Sequence, residues 1–441
     1  MKQSGIDWIG EIPDDWKIEK FGHVLKERNE KNNPIISTER LSVSIDIGVT
    51  LYSDKTTNLD RFKDDFSQYK IAHEGDLVMN SMNVIVGSEG ISPYFGCVSP
   101  AYYTYYCDDE DFNSARYCDY LFKTKSLKKF LRAIGKGIYA IDRGDDKVNT
   151  CRLKVSRMDM KNLLIPLPPK ASQQRIAEYL DSKCAQIDSI IEESKKSIEE
   201  YKAWKQSVIF EAVTGKNLNC KKKDSGVEWI GEIPDGWEMK RLKNLFDFGK
   251  GLSITKENLK ETGVSVISYG QIHSKQNSGT RIDDSLKRFV DESYLISNSN
   301  SLVRKSDFIF ADTSEDLEGC GNCVYVDEEQ TLFAGYHTII FSSKIKQSNK
   351  YLAYLFKTDA WRNQIRSRCN GVKLFSITKR ILSNVNLILP PLLEQESIAK
   401  MLDSKCAQID SLIAEKESLI ADLMEYKKSL IFEVVTGKRR I

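Results

Sequence analysis

Asp181-Ser182-Lys183-Cys184-Ala185-Gln186-Ile187-Asp188-Ser189 is repeated without change at 403–411, 222 positions on. The same shift carries Val213-Thr214-Gly215-Lys216 onto Val435-Thr436-Gly437-Lys438, so about fifty residues recur without a gap. Further upstream, Ser4-Gly5-Ile6-Asp7-Trp8-Ile9-Gly10-Glu11-Ile12-Pro13-Asp14-Asp15-Trp16 returns almost in step from Ser225 to Trp237. Between these blocks the halves diverge. One short anchor, Tyr120-Leu121-Phe122-Lys123-Thr124, recurs at 354–358 with a larger shift, so the first half carries about twelve extra residues near 135–150. Two constant frames therefore hold two variable inserts.

The repeated block reads as a long helix. Apolar residues fall at Ile176, Leu180, Cys184, Ile187, Ile191, Ile198, Tyr201 and Val208, and in the copy at Ile398, Leu402, Cys406, Ile409, Ile413, Ile420, Leu423 and Leu430. Steps of three and four leave a narrow seam on each helix. Pro168-Pro169 and Pro390-Pro391 suit the approach to a helix start, and Gly215 and Gly437 suit a C-terminal cap. The spacing predicts a helix over 173–213, roughly 60 Å long at 1.5 Å per residue. Seams this narrow predict that the two helices pack on each other; a helical hairpin or a coil between chains is the alternative. The Trp-Ile-Gly-Glu-Ile-Pro-Asp-x-Trp block offers an apolar plug around a proline turn, suited to docking the start of each domain.

A chain of 441 residues exceeds one ordinary core. Its 41% hydrophobic and 29% charged content is that of a globular protein. A net charge of +2 requires that any nucleic-acid surface be a local patch. No apolar run reaches the roughly 18 residues of a membrane span, and no signal-like apolar region follows Met1. The ten cysteines are scattered, as in a reduced cytoplasmic protein.

The inserts, 17–166 and 238–388, mix short β-rich runs with turns and a few helices. Asp76-Leu77-Val78-Met79 and Asp307-Phe308-Ile309-Phe310 read as strands, each running into a polar turn, Asn80-Ser81-Met82-Asn83 or Asp312-Thr313-Ser314-Glu315. Asn80, Ser81, Asn83, Thr313 and Ser314 are types able to read base edges, and equally types that close a turn over a sheet edge. Residues 123–157 hold eleven Lys or Arg against three Asp, and 357–380 hold seven against one. Positive charge thus gathers late in each insert, as phosphate binding requires, with Lys128, Lys136, Arg143 and Lys147 in the first patch and Arg366, Arg368 and Lys373 in the second. A solvated helix face would look similar.

Catalytic constellations are missing. Asp235 with Glu238-Met239-Lys240 is too tightly spaced for a nuclease metal site, and the first copy lacks the acid-x-Lys triplet. Cys320-Gly321-Asn322-Cys323 has no second pair for a zinc ribbon, and no phosphate loop is present.

Two constant helical regions separating two divergent inserts, with Ile165-Pro166-Leu167-Pro168-Pro169 and Gln173 to Ala177 leading one helix and Leu389-Pro390-Pro391 and Gln395 to Ala399 the other, resemble the specificity subunits of type I restriction-modification systems. The resemblance covers essentially the whole chain. It implies an α+β protein: two target-recognition domains, separated by two long antiparallel coiled-coil helices, with an internal pseudo-twofold repeat. The expected division is 1–166, first recognition domain; 167–216, central helical spacer; 217–388, second recognition domain; 389–441, C-terminal spacer. The implied function is non-catalytic: sequence-specific binding of double-stranded DNA at a bipartite, asymmetric target. The implied partners are two modification (methyltransferase) subunits and the restriction (motor-nuclease) subunits, with S-adenosylmethionine, ATP and magnesium on those partners. A stand-alone DNA-binding regulator and a coiled-coil adaptor without DNA binding remain the other readings of the residues.

Overall fold

Neither repeated block contains a glycine or proline between its flanking signals, so nothing in the backbone chemistry interrupts a helix there. In a computed structural model, which describes residues 1–45, 47–55, 65–108, 114–138, 152–369, 371 and 374–441, they form one helix each. The central helix runs Lys170–Thr214 and the C-terminal helix Leu392–Val435. The central one starts three residues before the expected Gln173, because the Pro169 carbonyl accepts from the backbone N–H groups of Ser172 and Gln173 and opens the first turn. The Gln173 side chain also donates to the Pro168 carbonyl at 2.8 Å, and Gln395 repeats this on Pro390 at 2.7 Å. Both helices stop at a left-handed glycine, Gly215 at φ +68° and Gly437 at φ +72°.

Two compact units form: Met1–Lys195 together with Glu417–Ile441, and Lys196–Lys416. Each contains part of both helices, and within each the helices run antiparallel. In the first unit Arg175 meets the backbone of Ile441, while Lys427 binds both oxygens of Asp188 at 2.7 Å. In the second unit Lys205 binds Asp410 at 2.6 and 2.7 Å. Asp410 and Lys427 are the copies of Asp188 and Lys205, so one ion pair is built twice with its partners exchanged.

The seams are not covered by helix alone. Ile176, Leu180, Ile187 and Ile191 lie in the core of the first unit beside Phe21, Tyr117 and Leu121, with Ile420 and Leu423 packed on its edge. Leu402 and Cys406 lie in the core of the second unit with Trp237 and Tyr351, Ile398 packs against them, and Ile409 is buried one turn on. Ile198 is buried and Ile413 half-buried. The two helices pack on each other in each unit as expected, but a two-helix contact shields only part of a stripe, and the insert supplies the rest.

Equivalent elements do this in each unit. The strand Lys17–Lys20 pairs antiparallel with Leu164–Leu167, and Glu238–Arg241 pairs with Asn386–Leu389, joining entry and exit of each insert. A four-stranded antiparallel sheet follows. Its order is Lys26–Glu27, Tyr102–Tyr106, Leu77–Asn80, Glu89–Ile91 in the first unit. In the second it is Phe246–Lys250, Thr338–Ser343, Phe308–Ala311, Cys323–Tyr325. The remainder differs: the second unit adds a four-stranded mixed sheet containing the parallel pair Val264–Ile267 and Leu332–Ala334, where the described residues of the first form two-stranded ribbons.

Tyrosines of one short helix in each unit, Ala115–Phe122 and Asn349–Phe356, then fix the insert to the long helices. Tyr117 donates to the carbonyls of Pro166 (2.8 Å) and Val435 (3.0 Å); Tyr351 donates to Val213 (2.9 Å) and Ile388 (3.2 Å). Val435 and Val213 lie in the last turns of the helices, where carbonyls lack intrahelical partners. Tyr120 donates to Asp181 and Tyr354 to Asp403, both at 2.6 Å. The tryptophan–proline block docks on the same helix ends. Trp16 and Pro13 close over Gly437, and Trp237 and Pro234 over Gly215, so closely that a Cβ on either glycine would strike the proline ring.

Candidate nucleic-acid interface

The polar turns stand at equivalent points of the two frames. Tyr102 pairs with Asn80 in the first sheet and Thr338 with Ala311 in the second, so Ser81 and Asp312 are the next residues out. The Ser81 carbonyl accepts from the Val155 N–H at 3.2 Å, and the Asp312 carbonyl from Ile377 at 2.7 Å. Val155 and Ile377 are related by the 222-residue shift. In each domain, therefore, the turn beyond the central strand meets the end of the basic segment.

The candidate residues do not share one exposure. Asn80 is buried, and its side-chain Oδ1 accepts from the Met82 N–H at 3.1 Å; Ser81 is fully buried. Thr313 and Ser314 are buried in a short strand paired with Phe375–Ser376, and the Thr313 hydroxyl donates to Asp312. All four are buried, corrected from the exposed placement that base reading requires; Asn80 bonds the backbone of its own turn and Thr313 the neighbouring Asp312 side chain. Asn83 is exposed.

Of the basic candidates, Lys128 points at the buried carboxyl of Glu89, 3.7 Å away. Burial pushes Glu89 up to about 8, against the pull of Lys128. Arg366 is folded back on Asp359 (2.7 Å), Asn363 and the Glu318 carbonyl. Neither is free for a phosphate, which corrects their expected exposure. Lys357 and Arg362, counted in the second basic run, are also turned inward; burial lowers both, Lys357 to about 8. Lys136 and Arg368 are exposed, although one Arg368 nitrogen donates to the Gln364 carbonyl. Lys136 sits directly across from the exposed Lys154, and among the described residues neither meets a carboxylate. Like charges opposed across a ribbon cost stability unless an anion joins them. Arg143, Lys147 and Lys373 lie outside the described residues.

A cluster in the second unit has no signature in the sequence. Tyr269 makes edge-to-face contacts with Tyr336 (5.7 Å), His337 (5.5 Å) and His273 (6.2 Å). His337 is held at φ +55° and places Nδ1 3.2 Å from Asp312 Oδ1. His273 bridges the Thr313 carbonyl and the Asn322 side chain, which puts its proton on Nε2. Cys320 and Cys323 are buried and free. No helix among the described residues is long and apolar enough to cross a membrane.

The family model described as "Type I restriction modification DNA specificity domain" matches residues 13–200 and again 234–420. Among similar proteins, the type I restriction enzyme MjaVIII specificity subunit of Methanocaldococcus jannaschii is 25% identical over 98% of this chain and 94% of its own. The EcoBI specificity subunit of Escherichia coli is 22% identical over 95% of this chain and 90% of its own. The crystal structure of the HsdS subunit from Thermoanaerobacter tengcongensis superposes with a TM-score of 0.56 at 16% identity, covering 97% of this chain and 98% of that one. A structure described under complex assembly and conformational transition of the type I R-M system reaches 0.70 at 17% identity, covering 97% of this chain and all of that one. The matched segments take in both frames and most of both inserts, and on that basis the chain belongs to the type I restriction modification DNA specificity family.

Proposed function

We propose that this chain selects the double-stranded DNA target of a type I restriction-modification complex, reading a bipartite, asymmetric sequence with its two inserts while partner subunits perform the chemistry. The carrying observation is the paired geometry of Ser81 with Val155 and Asp312 with Ile377: one frame presents two chemically unlike turns, each beside a basic segment. Unlike turns read unlike half-sites. In this reading 1–166 and 217–388 are the recognition domains, and 167–216 and 389–441 are the helical spacers. Asn83, Lys136, Lys154 and Arg368 face DNA, joined by Arg143, Lys147 and Lys373.

The helices carry two copies of one partner, the modification subunit. Large apolar side chains are exposed at Ile190 and Trp204 and at their copies Leu412 and Tyr426. At 100° per residue Ile190 lies about 60° to one side of the Ile187 seam position, and Asp188, which holds Lys427, lies about 100° to the other. Tyr426 falls on the same flank as Ile190 in the first unit, and Leu412 on the same flank as Trp204 in the second. Two like patches suit two like partners. The modification subunits would bring S-adenosylmethionine and methylate adenine, and restriction subunits would bring ATP and magnesium.

The test is reconstitution. The purified chain should neither cut nor methylate DNA in the presence of magnesium, ATP and S-adenosylmethionine, and its modification partner should restore methylation at a defined sequence. Methyl transfer by the rigorously purified chain alone would overturn the reading.

A further inference from the structure

We propose that Asp312, held by His337 and Thr313 and flanked by Tyr269, is a base-reading residue of the second domain, its Oδ2 accepting from an exocyclic amino group in the DNA major groove. The proposal rests on the DNA-reading function above and names the group that reads.

The geometry starts from the carboxylate. Thr313 Oγ1 donates to Asp312 Oδ1 at 2.8 Å, and His337 Nδ1 lies 3.2 Å from the same oxygen. Both neighbours therefore occupy Oδ1, and among the described residues Oδ2 has no donor. The side chain is 36% exposed and that of His337 is 57% exposed, so the free oxygen is open to a ligand. Asp312 is also fixed through its backbone, its N–H donating to the His337 carbonyl and its carbonyl accepting from Ile377. An acceptor held at three points keeps its direction without further ordering on binding.

His337 is the second observation. A non-glycine residue at φ +55° is uncommon and carries a conformational cost. Glycine would remove that cost at this turn, but it would also remove the imidazole that fixes Asp312 and the edge that Tyr269 packs against. Tyr269 and Tyr336 are half-buried and brace this edge. His273 holds the neighbouring Thr313 carbonyl at 2.8 Å.

The surroundings identify the ligand. Thr313–Ser314 pairs with Phe375–Ser376, so the segment that carries Arg368 returns alongside the turn. Cations next to the turn would bind phosphates and bring the Asp312 carboxylate to the base edges. A carboxylate there repels phosphates and tolerates only a donor: the N4 amino group of cytosine or the N6 amino group of adenine. At the matching frame positions of the first domain stand Ser81, which is buried, and Ala101. The two domains thus differ in chemistry at one equivalent point, as an asymmetric target requires.

The experiment uses the complex with its modification subunits. The wild-type target is first defined by mapping methylated adenines. Competition binding is then measured against every single-base-pair variant of that target for Asp312→Asn and His337→Gly. Asp312→Asn, which adds a donor beside the acceptor, should lower or redirect preference at one base pair of one half-site by roughly ten- to hundredfold, leaving the other half-site unchanged. Whether the affected base is cytosine or adenine is read from which substitutions the variant accepts. His337→Gly should weaken discrimination at that same base pair while thermal stability is kept or raised; a merely structural histidine would show the reverse. Unchanged discrimination in Asp312→Asn, or a uniform loss of affinity for all sequences in both variants, overturns the proposal. A wild-type complex with no bipartite target would instead remove the DNA-reading function on which it rests.

Discussion

Gly437 and Gly10 share nearly the same backbone conformation, φ +72° and φ +74°, yet differ in surroundings. A Cβ at Gly10 would meet nothing within 4 Å; at Gly437 it would overlap Pro13, 2.5 Å from its Cγ, and crowd the Trp16 ring at 3.2 Å. Alanine at either position bears the left-handed penalty of roughly 1–2 kcal/mol. Only at 437 does it also force a rigid proline and a buried indole to move, a further cost of about 1–3 kcal/mol. The gain from stiffening the unfolded chain is common to both and cancels. Gly437→Ala should therefore destabilise the first unit by about 2–5 kcal/mol and Gly10→Ala by about 1–2 kcal/mol. At about 2–4 °C per kcal/mol for a unit of this size, calorimetry separates the two. Gly215→Ala and Gly231→Ala provide the same comparison on the second unit. Equal melting shifts for Gly437→Ala and Gly10→Ala would refute the inference that the tryptophan–proline block docks on the helix end.

Three further outcomes follow from named contacts. Tyr117→Phe and Tyr351→Phe each remove a buried hydroxyl from a helix-end carbonyl and should each cost about 1–2 kcal/mol in urea unfolding; no loss would show that those carbonyls find other donors. Glu89, raised to about 8 from an ordinary 4.5, contributes stability that is fully present below pH 4.5 and lost as pH rises through about 8. The first unit should thus weaken between those limits by an amount on the order of a few kcal/mol, and Glu89→Gln should flatten that slope; an unchanged pH dependence in the variant would rule the cause out. Four residues inserted near Ser194 would lengthen the central helix by about 6 Å and turn it about 400°, near a full number of turns. The half-site sequences should persist while the gap between them changes by one or two base pairs, and altered half-sites with an unchanged gap would exclude the helices as the ruler.

The helices were legible because their evidence is local and repeated: a three-and-four spacing, no interior glycine or proline, a proline pair before each start and a glycine after each finish. Their partners were not. Ile187 and Leu402 read as residues of a two-helix seam, but burial beside Tyr117 and Tyr351 depends on contacts made from far along the chain. The place of each polar turn was also legible, from the strands at Leu77 and Phe308. Which side chain faces outward was not, because an asparagine that closes its own turn and one that meets a base have the same composition signal; Asn80 does the first. Charge counting overstated the second basic patch for a similar reason. A helix turns every third or fourth residue inward, and Lys357, Arg362 and Arg366 are used by the domain itself. His337 left no trace at all, since a single strained residue has no period and no motif.

The central claim is that two inserts on matched frames read two half-sites independently. Replacing 238–388 with the insert of another specificity subunit of this family, and sequencing the methylome of cells that carry the hybrid with its modification partner, tests it most directly. The account predicts one altered half-site, the other unchanged. A change in both half-sites, or in neither, would contradict it.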